Sequence, residues 1–99
     1  MLHSERAKRP SRPTVEPTAL AAVARCRGLL ATGADVDVYF GRALELLDAV
    51  DAPLERARIR LCYGERLRRL RRRGEARRQL IAAFAAFEEL GASNWAQRA

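Results

Sequence analysis

Nine arginines crowd one stretch of the chain. Arg56, Arg58, Arg60, Arg66, Arg68, Arg69, Arg71, Arg72 and Arg73 stand against only Glu55 and Glu65, so residues 53–73 carry a net charge of +7, equal to that of the whole chain. A guanidinium grips phosphates and carboxylates through paired N–H donors, so the chemistry on offer is anion recognition, of a nucleic-acid backbone or of an acidic protein surface. Arg66, Arg68, Arg69, Arg71, Arg72 and Arg73 form the candidate partner or nucleic-acid surface. The plainer reading is a solvated helix in which Glu65 reaches Arg69 at i, i+4 and the arginine stems cover neighbouring apolar surface. It gains weight from the acidic stretch Asp35, Asp37, Glu45, Asp48 and Asp51, which offers the arginines partners within the chain. Of the 19 basic residues only Lys8 is lysine, a usage that a GC-rich genome tends to write whatever the partner. Tyr63 is the only aromatic among these arginines, which gives no ladder for stacking bases and favours a packing role for that ring.

No other residues assemble a reactive constellation. His3 has neither a carboxylate nor a nucleophile beside it in sequence. Cys26 and Cys62 lie inside helical patterns rather than in a Cys-x-x-Cys cluster, and read as small, buried, reduced apolar residues. Glu88 and Glu89 are adjacent and so point to different parts of a helix. There is no phosphate-binding loop, so no catalytic, metal or cofactor site is expected, and the chain reads as a non-enzyme.

The elements that would carry these residues are all helices. Residues 1–17 hold Pro10, Pro13 and Pro17, four basic residues and almost no large apolar ones, and read as a disordered basic, proline-rich arm. Thr18 caps a first helix, about 18–31, with Leu20, Val23, Ala24, Leu29 and Leu30 mostly on one face. Asp35 caps a second, 35–50, with an inner stripe of Val36, Tyr39, Phe40, Ala43, Leu44, Leu47 and Val50. Pro53 opens a third, 53–72, with Glu55 in its first turn, and Gly74 takes the left-handed conformation at its end. The fourth, 74–90, presents Ala76, Leu80, Ala83, Phe84, Phe87 and Leu90 inward until Gly91 stops it. Ser93 then caps a fifth, 94–99, that the chain truncates after barely two turns, with Trp95 as its anchor on the fourth. No apolar run approaches the roughly 20 residues of a membrane span, the start has no secretory apolar stretch, and the expected compartment is the cytoplasm.

Connections this short make sequential helices antiparallel neighbours, and the pairs repeat. Cys26-Arg27-Gly28 and Cys62-Tyr63-Gly64 are 36 apart, whereas Ala43, Leu47 and Val50 match Ala76, Leu80 and Ala83 at 33, a difference assigned to a longer turn around Gly33. Gly64, Leu67, Ala76, Leu80 and Ala83 stand at tetratricopeptide spacing: small residues allow close approach and the leucines fill the space between pairs. Arg60 and Glu88 depart from that pattern, standing where an aromatic and a proline are common.

Residues 54–99, with ARCRGLL at 24–30 and Phe40-Gly41-Arg42-Ala43-Leu44, resemble the helical-repeat region of the large ATP-binding, MalT-like LuxR-family regulators of actinobacteria. That resemblance implies an all-α solenoid lying between a nucleotide-binding portion and a promoter-binding helix-turn-helix, neither of which this sequence contains. The expected function is a non-catalytic protein-interaction or sensor scaffold of a transcription regulator, working or remnant, with a protein partner or self-association through its open repeat ends. The alternative is a small basic nucleic-acid-binding protein using the arginine surface.

Overall fold

The computed structural model describes the backbone of residues 16–98 and the side chains through 92. The described residues form four α-helices and no strand: α1 (Pro17–Leu30), α2 (Asp35–Leu46), α3 (Pro53–Arg69) and α4 (Arg73–Arg98). The arm expected at the N-terminus lies outside them except for its last residues, and the side chain of Trp95 also lies outside them.

Proline sets the start of both α1 and α3. Pro17 and Pro53 occupy the first turn, where a missing N–H costs nothing and the ring holds the required backbone angle, and neither helix receives a side-chain cap. Thr18 is therefore inside α1 rather than capping it. Asp35 likewise lies within the first turn of α2 with Asp37, where the helix dipole favours both charges, while Ala34 takes the cap position without a side-chain hydrogen bond. α2 closes at Leu46, short of the expected Val50, because Leu47, Asp48 and Val50 bond three residues back and tighten the chain into turns.

The end of α3 is the clearest departure from sequence reasoning. The Arg72 N–H donates to the Leu67 carbonyl at 2.9 Å and the Arg71 N–H to that of Arg68 at 2.9 Å, the paired bonds of a Schellman motif. The left-handed residue is Arg71, at φ 66, not Gly74, which lies in the first turn of α4. α4 also runs through Gly91 and Ser93, so among the described residues the expected fifth helix is a continuation of the fourth. A glycine in a helix interior costs only about 1 kcal/mol relative to alanine, and Ala82, Ala83, Ala85, Ala86 and Ala92 around it are the strongest helix formers.

α1 packs chiefly on α2 and α3 chiefly on α4, and α3 also touches both α1 and α2, so it joins the two pairs. Ala21, Ala24, Val36, Phe40, Ala43, Leu47 and Ile59 form the central cluster. The inner face of α1 is thus Ala21, Ala24 and Gly28, while Leu20, Val23, Leu29 and Leu30 are exposed. Small residues win because the helices lie close: a Cβ added at Gly28 would sit 2.6 Å from the Phe40 ring, and one at Gly64 would sit 2.7 Å from Leu80 Cγ.

Four pairs of buried positions share one sequence offset. Pro17 and Pro53 open their helices 36 apart, and at that same separation Ala21 and Ala57, Gly28 and Gly64, Phe40 and Ala76, and Leu47 and Ala83 are buried in pairs. Other positions do not keep it: at 36, buried Val36 and Ala43 correspond to half-buried Arg72 and Gln79, and buried Ile59 to exposed Val23, while at the offset of 33 Ala24 and Ala57, and Ala43 and Ala76, are both buried.

Candidate interaction surface

The arginine run divides into two groups that face different ways. Arg66 and Arg72 turn inward. Arg66 donates to the Ala31 carbonyl at 2.7 Å, satisfying an acceptor just past the end of α1. Arg72 grips both carboxylate oxygens of Asp37, at 2.9 and 3.1 Å, and also pairs with Glu75. Farther along, Arg56 donates to the Leu47 carbonyl at 2.9 Å and pairs with Asp48 at 3.5 Å. Acidic residues of α2 and of the turn after it therefore engage Arg72 and Arg56, as charge complementarity suggests. The expected Glu65–Arg69 pair does not form among the described residues; the local pairs are Arg58 with Glu55 at 3.0 Å and Arg72 with Glu75.

Tyr63 completes this seam. Its ring stacks on Phe40 with centroids 4.8 Å apart and planes 10° from parallel, and its hydroxyl donates to Asp37 Oδ1 at 2.5 Å. The hydrogen bond from Arg72 holds the Asp37 carboxyl below its ordinary range, with help from the Tyr63 hydroxyl and against the opposing effect of burial. Burial first, and then the donation to Asp37, pushes the Tyr63 phenol up to about 12. Arg72 is held above its ordinary value chiefly by its bond to Asp37. These groups hold one another's charge states through direct hydrogen bonds.

The other group stays outside. Arg68, Arg69, Arg71, Arg73 and Arg77 rim an open groove of about 720 Å³ whose apolar floor is Ala76, Leu80, Ile81 and Phe84. Among the described residues none of these five arginines forms an ion pair. Phe84, expected in the core, is 57% exposed here, and Ile81 is 60% exposed. Arg77 joins the groove from α4, outside the run that sequence density picked out; the available signal was its position four residues after Arg73, on the same helical face.

Of the tetratricopeptide-spaced residues, Gly64, Leu67, Ala76 and Ala83 are buried and Leu80 is half-buried, lying over Gly64 and reaching the groove floor. Cys26 is exposed, unlike the buried position expected of it, because the close packing of α1 is made by the alanine and glycine face instead. Cys62 is partly buried, and its sulfur accepts a weak contact from Arg25 at 3.8 Å. His3 lies outside the described residues. Among the described residues no group of three His, Cys, Asp or Glu side chains could hold a metal ion, and no helix is long and apolar enough to cross a membrane.

Compared with protein-family models, curated proteins and solved structures, the chain matches none.

Proposed function

We propose that this chain is a non-catalytic interaction scaffold built from tetratricopeptide-like helical hairpins, of the kind that LuxR-family regulators carry between their nucleotide-binding and DNA-binding portions. The observation that carries the reading is a 36-residue offset shared by the helix-opening prolines, by Gly28 and Gly64, and by three further buried pairs across the two helix pairs. In a stacked array each unit is stabilised by its neighbour, so matching contacts recur at a fixed sequence interval. The exposed apolar residues fit the same view: Leu20, Val23 and Leu30 on α1, and Ile81 and Phe84 on α4, are stacking positions at the two ends. The cytoplasm is the compartment this reading implies.

Lengthening the array tests it. A chain in which residues 17–52 are duplicated in tandem carries one more unit of the same register. It is expected to unfold in one transition at higher urea concentration and with a steeper denaturant dependence, since more surface is buried. An unchanged midpoint, or a second transition at low urea, counts against a repeat scaffold.

The convergence of five arginines beside an exposed phenylalanine also favours a second reading, a nucleic-acid-binding protein. Phosphate contacts would give an affinity that falls steeply with salt. Anisotropy of a labelled single-stranded oligonucleotide across a salt series separates the readings; on the scaffold reading binding vanishes at physiological ionic strength.

A further inference from the structure

The contacts that seat α3 on the first helix pair define a socket. Its two ends are carboxylates of or just beyond α2, Asp37 and Asp48, and Phe40 lies between them. The plug is one face of α3: Arg56 meets Asp48, Ile59 enters the apolar cluster, and Tyr63 covers Phe40 and meets Asp37. A helix face with a cation at one end and a phenol at the other thus lies in an acid-ended apolar groove.

Moving 36 residues along shows the same socket on the second pair with its charge reversed. Asp37 becomes Arg73, Phe40 becomes Ala76, Gly41 becomes Arg77, Leu44 becomes Leu80, Glu45 becomes Ile81 and Asp48 becomes Phe84. All six of these counterparts line the arginine-rimmed groove. The groove is therefore the α3 seat carried one unit on: replacing the large Phe40 ring by Ala76 opens it, and the acidic ends have given way to arginine and an aromatic.

From this correspondence we infer that the groove between α3 and α4 binds an acidic amphipathic helix of a partner protein, laid down as α3 lies on the first pair. The inference rests on the scaffold reading and names its partner class. Ala76, Leu80 and Phe84, four residues apart, make an apolar stripe about 12 Å long on α4, suited to two turns of a partner's apolar face. The arginines on either side would pair with carboxylates flanking that face, and Arg presents a bidentate fork suited to them. A second copy docked in the same register, and the N-terminal residues, have the wrong charge. The plug face of a second copy would be that of α1, where Arg27 takes the place of Tyr63 and would face Arg73. α1 contains no acidic residue, and residues 1–15 have four basic residues against a single glutamate.

The test uses the full chain and designed peptides of about 18 residues, long enough for five helical turns. One carries leucine at i, i+3, i+4 and i+7 flanked by glutamates; a second has the same composition scrambled; a third has lysine in place of glutamate. Fluorescence anisotropy is expected to show saturable binding of the patterned glutamate peptide. Arg73→Glu with Arg77→Glu should weaken it at least about tenfold and Phe84→Ser about threefold to tenfold, while Arg78→Glu, outside the groove, leaves it unchanged. The doubly reversed variant should in turn prefer the lysine peptide, a switch that loss of folding cannot produce. Equal binding of the scrambled peptide would overturn the inference by showing charge attraction alone. So would an oligonucleotide that binds more tightly than the peptide and depends on the same residues, or an absence of saturable peptide binding. If the peptide fails while the duplicated chain is stabilised, the partner class is wrong and the scaffold reading survives; if duplication also fails, the scaffold reading goes with it.

Discussion

The two sockets of this chain have the same register and opposite chemistry. On the first pair, Phe40 is fully buried under Tyr63 and Asp37 is gripped by Arg72; on the second, the corresponding Ala76 and Arg73 line an open groove with Phe84 exposed. On the proposed scaffold reading, the difference divides one helical pattern between stability and recognition. Where α3 is seated, aromatic area and paired charge hold the two helix pairs together; where nothing described is seated, the same positions leave five unpaired guanidinium groups around an apolar floor.

The sharpest way to break that comparison is to truncate one phenylalanine from each socket. Phe40→Ala removes a fully buried ring from the centre of the cluster and should cost about 3–5 kcal/mol, a large part of the stability of a small domain. Phe84→Ala removes a ring that is 57% exposed and should fall within about 0.5 kcal/mol of the parent. Urea denaturation of both variants reads the contrast, and equal losses would show that the second socket is not open.

The glycines extend the comparison to the contacts within each pair. Gly28→Ala drives a methyl against the rigid, stacked Phe40 ring, with an expected loss of about 2 kcal/mol. Gly64→Ala meets Leu80, a flexible side chain at the groove edge, although the Ala76 carbonyl lies 3.2 Å away, so the loss should be smaller, about 1 kcal/mol. Thermal unfolding by circular dichroism ranks the two; the reverse order would mean that the Phe40 ring moves more easily than Leu80.

The seam should also respond to pH from both sides. Asp37 has a lowered pKa in the fold, so its contribution is present above the unfolded value of about 3.9 and disappears as pH falls through the folded value. Tyr63 is raised to about 12 from 10.0, so the unfolded phenol ionises first and stability falls as pH rises between those values. Asp37→Asn should lower stability at neutral pH by about 1 kcal/mol, a modest figure because 37% of the side chain is exposed and solvent screens the pair. Urea midpoints measured across pH should show a shallower acid limb in this variant; an unchanged limb would remove Asp37 as its source.

The smallest effect sharpens the account of the turn between α3 and α4. Arg71 holds φ 66 without the freedom of glycine, so Arg71→Gly should stabilise the chain by about 0.5–1 kcal/mol. A drop in thermal midpoint would mean that the arginine side chain contributes more than its backbone conformation costs.

Much of the chain follows from local chemistry. Pro17 and Pro53 start helices because their rings suit the first turn, Gly33 adopts φ 58 in the turn after α1, and the three- and four-residue spacing of Val36, Phe40, Ala43 and Leu47 makes α2 amphipathic. The anion-binding character of the arginine-rich stretch was equally legible, because guanidinium groups keep their charge in any fold. Periodicity could not decide between the leucines and alanines of α1, since both fall at helical spacings; the close approach of α2 favours Ala21, Ala24 and Gly28. Nor could it tell that Arg66 and Arg72 would be used internally while Arg68, Arg69, Arg71 and Arg73 remain available, because a turn bonded through the backbone at Leu67 and Arg68 sets their directions. Sequence by itself determined the helical class, where the four helices begin to within a residue, and where the charge lies. Only tertiary packing decided which charges are matched within the chain, because that depends on what α3 meets across a distance that local spacing does not encode.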